Sequence, residues 1–254
     1  MSSVSAAAPN SHWPYPRFIA HRGGGTLAPE NTLAGFREAR HFCFQGIETD
    51  VMLTADGAAV LSHDPVLGRV VKSASPVASL SLKEIKTLDA GSLTAQKWAG
   101  ERIPTLEEAI ETCEANGLFM NIEIKPASES AAQATAQETV RIVRKLFAGK
   151  SLPLLSSFSR NALAAAAVEA PEIPRGLLLE GIPTDWKEAC MKLAVKTVHP
   201  DWQSVTPDFV EEAHAMGLGV MCYTVDSPDT ADALFTLGVD AVCTNRLDLF
   251  ADCR

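Results

Sequence analysis

The chain has 254 residues, 46% of them hydrophobic and 21% charged, with a formal net charge of −9. That size suits one large α/β barrel or two small domains. The acidic balance argues against a broad nucleic-acid surface, and it means that an anionic substrate must be captured by local cations or a metal.

Residues 1–11 are rich in Ser and Ala, with no basic start and no apolar run. Residues 1–12 are therefore expected to form a disordered tail rather than a signal peptide. No stretch approaches the ~18 apolar residues that span a bilayer. A cytoplasmic protein without a membrane anchor is expected. Cys43, Cys113, Cys190, Cys222, Cys243 and Cys253 lie far apart with no CxxC spacing, which reads as free, buried thiols in a reducing compartment.

The first apolar strand is predicted over 18–21 and ends on His21-Arg22. Gly23, Gly24 and Gly25 follow as a turn that lets backbone approach a ligand, and Pro29-Glu30-Asn31-Thr32 opens a helix over 30–43. The second strand, 47–53, carries Glu48-Thr49-Asp50. Ala55-Asp56-Gly57 then reads as a hairpin turn, with 58–63 running back as an added strand that ends at His63-Asp64. Residues 65–104 hold no long helix, only a short one over 82–88. They read as an insertion in the second βα connection, because about 40 residues could hardly support their own core.

Beyond the insertion, strands are predicted over 119–125, 153–158, 176–179, 197–199, 219–225 and 241–244. Helices alternate with them over 106–116, 131–148, 161–170, 186–195, 207–216 and 228–237, and a short last helix over 246–250. Thr206-Pro207 and Ser227-Pro228 each place a capping hydroxyl before a proline at the first helical position. Gly46, Gly117, Gly217 and Gly238 stand where helices should stop. Eight strands each followed by a helix match a (β/α)8 barrel over residues 13–254. The alternative is an open, doubly wound sheet.

Glu48 and Asp50 are two apart on a strand and so share a face, as do Glu123 and Lys125. Carboxylates near the ends of barrel strands converge on the axis. Glu48, Asp50 and Glu123 suit a hard divalent cation, Mg²⁺ or Ca²⁺, and no Cys/His cluster has the spacing of a zinc site. Two histidines at strand ends, His21 and His63, suit acid/base work near neutral pH. His199 also ends a strand and is read as structural. Arg22 and Lys125 can clamp phosphate oxygens, and they can pair with the neighbouring carboxylates at the same time. The one Gly-Lys-Ser, Gly149-Lys150-Ser151, lacks the glycine five positions before it, where Arg144 stands, so a nucleotide P-loop is not supported.

These residues sit in a pattern that resembles the glycerophosphodiester phosphodiesterase family, most closely its cytosolic bacterial members. The matching text is Trp13-Pro14-Tyr15-Pro16-Arg17, the motif from His21 to Asn31, Glu48-Thr49-Asp50, His63-Asp64, Asn121-Ile122-Glu123-Ile124-Lys125-Pro126, Leu154-Leu155-Ser156-Ser157-Phe158 and Pro174-Arg175-Gly176-Leu177-Leu178-Leu179. The resemblance implies a metal-dependent barrel hydrolase that releases sn-glycerol 3-phosphate. It implies metal ligation by Glu48, Asp50 and Glu123, acid/base roles for His21 and His63, and phosphate binding by Arg22 and Lys125. The family's aromatic on the seventh strand, often tryptophan, is Tyr223 here, set against the glycerol. The chain departs from the family at Asn245, where Asp is frequent, and at Gly68-Arg69-Val70-Val71, which replaces a polar, Thr-rich stretch. The partner implied is a small glycerophosphodiester such as glycerophosphocholine or glycerophosphoethanolamine, with self-association left open. Rival readings are a lysophospholipase D-type enzyme and a non-catalytic phosphodiester-binding protein.

Overall fold

The structure, a computed structural model, describes residues 13–251. The expected tail, residues 1–12, and Cys253 lie outside the described residues. Eight parallel strands close on themselves. In chain order they are β1 (Phe18–Ala20), β2 (Gly46–Leu53), β4 (Phe119–Ile124), β5 (Leu154–Ser157), β6 (Arg175–Leu179), β7 (Thr197–Pro200), β8 (Gly219–Cys222) and β9 (Ala241–Thr244). Closure comes from β1, which pairs with both β2 and β9, Ala20 lying opposite Ile47 on one side and Thr244 on the other. The remaining strand, β3 (Ala59–Leu61), is antiparallel to β2 and makes the expected hairpin, turned at Gly57 with φ +78°. The barrel is the predicted architecture.

The helices form the outer ring: α1 (Leu33–His41), α3 (Leu106–Asn116), α4 (Ala132–Leu146), α5 (Arg160–Glu169), α6 (Trp186–Leu193), α7 (Pro207–Ala215) and α8 (Pro228–Thr236), with α2 (Leu82–Ile85) inside the insertion. Alternation along each strand divides the core in two. Outward residues such as Ile47, Val51, Ile122, Leu155 and Val220 meet Phe36, Ile110, Val140 and Phe209 from the helices. Inward residues Ile19, Leu154, Met221, Ala241 and Cys243 pack around Trp13. Trp13 also stands edge-on to His199, whose ring is fully buried, bonded to Thr197 Oγ1 and depressed by burial to a pKa of about 3. His199 is thus a neutral interior residue, as its sequence context suggested.

The segment between β3 and α3 has its own apolar cluster, in which Leu67, Val71, Val77, Ile85 and Ile103 pack on Met52 and Val60 of the hairpin. The apolar Val71 that departs from the family pattern is fully buried there. The short helix expected over 82–88 ends at Ile85, after a capping box between Ser81 and Glu84.

Five expectations are corrected. Helix α1 begins at Leu33 rather than residue 30, because Asn31 has φ +54° and Thr32 is the N-cap. Gly46 does not stop that helix: Cys43, at φ +65°, turns the chain, and Gly46 opens β2 where a Cβ would lie 2.8 Å from Ile19 Cδ1. Cys43 is exposed at this turn, whereas Cys113, Cys190, Cys222 and Cys243 are buried free thiols as expected. The strand predicted to 225 ends at Cys222, with Tyr223 making only an isolated bridge to Asp201, and the last helix is a single 3-10 turn, Leu247–Leu249.

Candidate active site

The C-terminal ends of the strands surround an open cavity of about 650 Å³. Barrel enzymes keep their chemistry at this end. Period-two alternation turns Glu48 and Asp50 of β2 and Glu123 of β4 into the barrel, and the register sets Asp50 beside Glu123. The three are buried, with exposures of 6%, 1% and 7%. One oxygen from each lies within 4.8 Å of the others, the only such trio among the described residues.

Three carboxylates this close repel, and burial adds to the cost. Burial, with the charges of Asp50 and Glu123, lifts Glu48 well above the usual carboxylate range. Glu123 is raised to about 8, chiefly by burial and then by Asp50. Burial also pushes on Asp50, yet Lys125, His63, Arg22 and the Asn31 amide together hold it below its ordinary value. The trio could hold a cation. All its donors are hard oxygens, which fit Mg²⁺ or Ca²⁺ better than zinc. Asn121 Oδ1 and Ser156 Oγ, on residues of the same wall, are buried without a hydrogen-bond partner.

His21 and His63 both reach this cavity, as the sequence suggested. His21 Nδ1 is 2.7 Å from Asn245 Oδ1, and its Nε2 is 3.9 Å from Glu48 Oε2. His63, two residues beyond β3, has Nδ1 2.7 Å from Asp64 Oδ1. Burial, then the Arg22 cation, lowers His21 to about 4, and burial lowers His63 as well. Lys125 Nζ lies 3.2 Å from Asp50 Oδ1 and 3.4 Å from Glu123 Oε1, and these carboxylates raise its pKa against the pull of burial. Arg22 is held by Glu30 at 3.0 Å, and its buried Nε has no hydrogen-bond partner. Its backbone N–H donates to Glu48 Oε2 at 2.9 Å, made possible by φ +51° at Arg22.

The glycine run approaches protein rather than ligand. A Cβ on Gly23 would meet the Phe36 ring at 2.2 Å, and one on Gly25 the Asn245 carbonyl oxygen at 2.2 Å. These contacts seat the His21-Arg22 loop between α1 and the end of β9.

Several residues given no role from sequence turn out to shape the site. Asn31 accepts from Thr49 Oγ1 at 2.6 Å and from the Asp50 N–H at 3.1 Å, and donates to Asp50 Oδ2 at 2.8 Å. Its signal was chemical: asparagine tolerates the left-handed backbone that most side chains avoid. Arg69 of the insertion joins Glu30, which also holds Arg22, to Asp64, which also holds His63. Opposite the cations, Phe158 stands edge-on to Tyr223 at 5.8 Å, with Glu180 and Asp201 on the same rim. Tyr223 donates its hydroxyl to Leu179 O at 2.8 Å, and burial with these two carboxylates raises its pKa.

Cations that could hold an anion, imidazoles able to move protons and carboxylates that could hold a metal are gathered at the C-terminal end of a (β/α)8 barrel, a set that suits an anionic ester. The comparisons agree. The model of the glycerophosphoryl diester phosphodiesterase family matches residues 21–249. A glycerophosphodiester phosphodiesterase of Caldanaerobacter subterraneus is 34% identical over 228 residues, 89% of this chain and 93% of that one. Another, from Bacillus altitudinis, is 30% identical over 235 residues, 91% and 95% of the two chains. The solved structure of an Oleispira antarctica phosphodiesterase, in complex with the product sn-glycerol-3-phosphate, aligns with a TM-score of 0.89 and 34% identity over 92% of this chain and 95% of that one. The chain therefore belongs to the glycerophosphoryl diester phosphodiesterase family and is a phosphoric diester hydrolase of that kind. No helix among the described residues is long and apolar enough to cross a membrane.

Proposed function

We propose that the chain hydrolyses glycerophosphodiesters to an alcohol and sn-glycerol 3-phosphate, in cytoplasmic glycerol and phospholipid-headgroup metabolism. The observation that carries this reading is the buried Glu48–Asp50–Glu123 trio set between two histidines, each with Nδ1 already engaged. That leaves both Nε2 atoms for the substrate. Residues 13–254 would act as one barrel domain, with 65–104 inserted beside the site.

Glu48, Asp50 and Glu123 would hold Mg²⁺ or Ca²⁺. When bound, the ion would lower the pKa of a glycerol hydroxyl and neutralise a phosphate oxygen. Lys125 and Arg22 would bind the other phosphate oxygens. One histidine would take the proton of the attacking hydroxyl, and the other would protonate the departing alcohol. The family resemblance favours a two-step route, through a cyclic glycerol phosphate that water then opens. Acid–base help is worth roughly 10²–10⁴ in rate, about 3–5 kcal/mol, so electrostatic stabilisation of the phosphoryl group must supply a large share of the rest.

Tyr223 would pack against the substrate. The rim formed by Phe158, Tyr223, Glu180 and Asp201 suits a leaving alcohol that bears an ammonium group, as in glycerophosphocholine or glycerophosphoethanolamine. The test is turnover of several glycerophosphodiesters with Mg²⁺, Ca²⁺ or chelator, read as glycerol 3-phosphate. Absence of product from every diester at saturating metal would overturn the reading. Preferential cleavage of lysophosphatidylcholine would assign the lipid-directed alternative instead. Metal-dependent binding without product would assign a binding protein.

A further inference from the structure

His21 Nε2 can accept a proton in the cavity only if the other ring nitrogen, Nδ1, carries the imidazole proton. Its Nδ1 partner is Asn245 Oδ1 at 2.7 Å. An amide does not by itself enforce that choice, because turning it over would present Nδ2 and reverse the hydrogen bond. Asp226 removes the ambiguity. It sits between β8 and α8, and its Oδ2 accepts from Asn245 Nδ2 at 3.1 Å. Its other oxygen, Oδ1, accepts from the Asn245 backbone N–H at 2.7 Å and from Thr244 Oγ1 at 3.2 Å. A carboxylate accepts and does not donate. Asn245 must therefore turn Nδ2 toward Asp226 and Oδ1 toward His21, and His21 Nδ1 must be the donor.

We propose that Asp226 and Asn245 are positioning residues that lock His21 in the Nδ1–H tautomer, keeping Nε2 as the proton-accepting atom in the cavity. The proposal rests on the proton-transfer role given to His21 above. The relay explains how this chain works with Asn at position 245. The carboxylate lies one residue further out and acts through the amide.

The logic is directional, so substitutions can reverse it and restore it. In Asp226→Asn, the side-chain oxygen stays with the two donors on Oδ1, and its new NH₂ faces the Asn245 NH₂. Asn245 relieves that conflict by turning over, which forces His21 Nδ1 to accept and moves the proton to Nε2. The double variant Asp226→Asn/Asn245→Asp rebuilds each hydrogen bond. The amide at 226 donates to the carboxylate at 245, which accepts from His21 Nδ1–H. In the serine-protease triad the wrong tautomer costs about 10⁴ in kcat. Asp226 is exposed to solvent, so a smaller loss, about 10–10³-fold, is expected here.

The experiment pairs ¹⁵N NMR of the His21 ring at neutral pH, on the metal-free chain, with kinetics on glycerophosphocholine. Wild type should show the Nδ1–H tautomer. Asp226→Asn should shift to Nε2–H and lose kcat with KM nearly unchanged. The double variant should recover both. Thr244→Val, which removes one hydrogen bond to the same carboxylate without opposing the amide, should keep the tautomer and most of kcat. Retention of Nδ1–H in Asp226→Asn would overturn the proposal. So would failure of the double variant to recover, or an equal loss in Thr244→Val. If wild type cleaves no glycerophosphodiester, the functional reading fails while the tautomer result still stands or falls alone.

Discussion

Replacing Glu123 by Gln should make the metal-free protein more stable and the enzyme nearly inactive. Glu123 is held at about 8, against an ordinary value of 4.5, by burial and by the charge of Asp50. Between those values the folded chain keeps a proton that the unfolded chain has lost. Stability of the metal-free wild type must then fall as pH rises through that window. The full difference corresponds to about 5 kcal/mol at 1.36 kcal/mol per pKa unit. Gln removes the charge but leaves Lys125 with one carboxylate fewer, so the expected gain at pH 9 is smaller, about 2–4 kcal/mol. Metal opposes that order. A ligand at 100 times its Kd stabilises the folded state by about 2.7 kcal/mol, and the variant has lost one of three ligands. Urea unfolding of both proteins at pH 5 and pH 9, with chelator and with Mg²⁺ or Ca²⁺, measures each quantity. Equal stability of the two chelated proteins at pH 9, or equal gains from metal, would refute the reasoning. Substantial turnover by Glu123→Gln or Glu123→Ala at saturating metal would count against the site itself.

Other outcomes follow from the same geometry. The base histidine works only when deprotonated, so kcat/KM should rise with pH through its pKa. Burial lowers both histidines, which places that acid limb below the ordinary 6.5. His21→Ala and His63→Ala should each lose one limb of a bell-shaped profile, and two intact limbs in both would sink the two-histidine scheme. Asn31→Ala leaves Thr49 and Asp50 without their partner in a buried place. It should cost about 1–3 kcal/mol in thermal unfolding and about 10–100-fold in metal affinity measured by calorimetry. Unchanged metal affinity would mean that Asn31 does not orient Asp50. Glu180→Gln with Asp201→Asn should lower kcat/KM several-fold for glycerophosphocholine but not for a neutral-headgroup diester such as glycerophosphoglycerol. Equal effects on both would remove the rim from substrate choice.

The repeating strand–helix pattern was legible because burial on both faces writes apolar runs into parallel strands, and capping residues mark the helix starts. Thr206-Pro207 and Ser227-Pro228 cap α7 and α8 as read. The two-residue spacing of Glu48 and Asp50 was enough to put both on one face. Sequence was less able to separate neighbours in a loop: Asn31 looked like part of a helix start, and Gly46 like a helix stop. Both depend on close contacts with β2 and β1 that are remote in the chain.

By itself, then, the sequence determined the barrel class, the added hairpin and the cast of ionisable residues, since these follow from local periodicity and from which side chains can carry charge. Only the tertiary structure decided what those residues do to one another. It set Asp50 beside Glu123 across two strands, brought Arg69 from the insertion to Glu30 and Asp64, and placed Asp226 and Asn245 behind His21. Proton affinity and tautomer depend on distance and burial, and barrel closure joins residues more than 200 positions apart, as in the contact between His21 and Asn245.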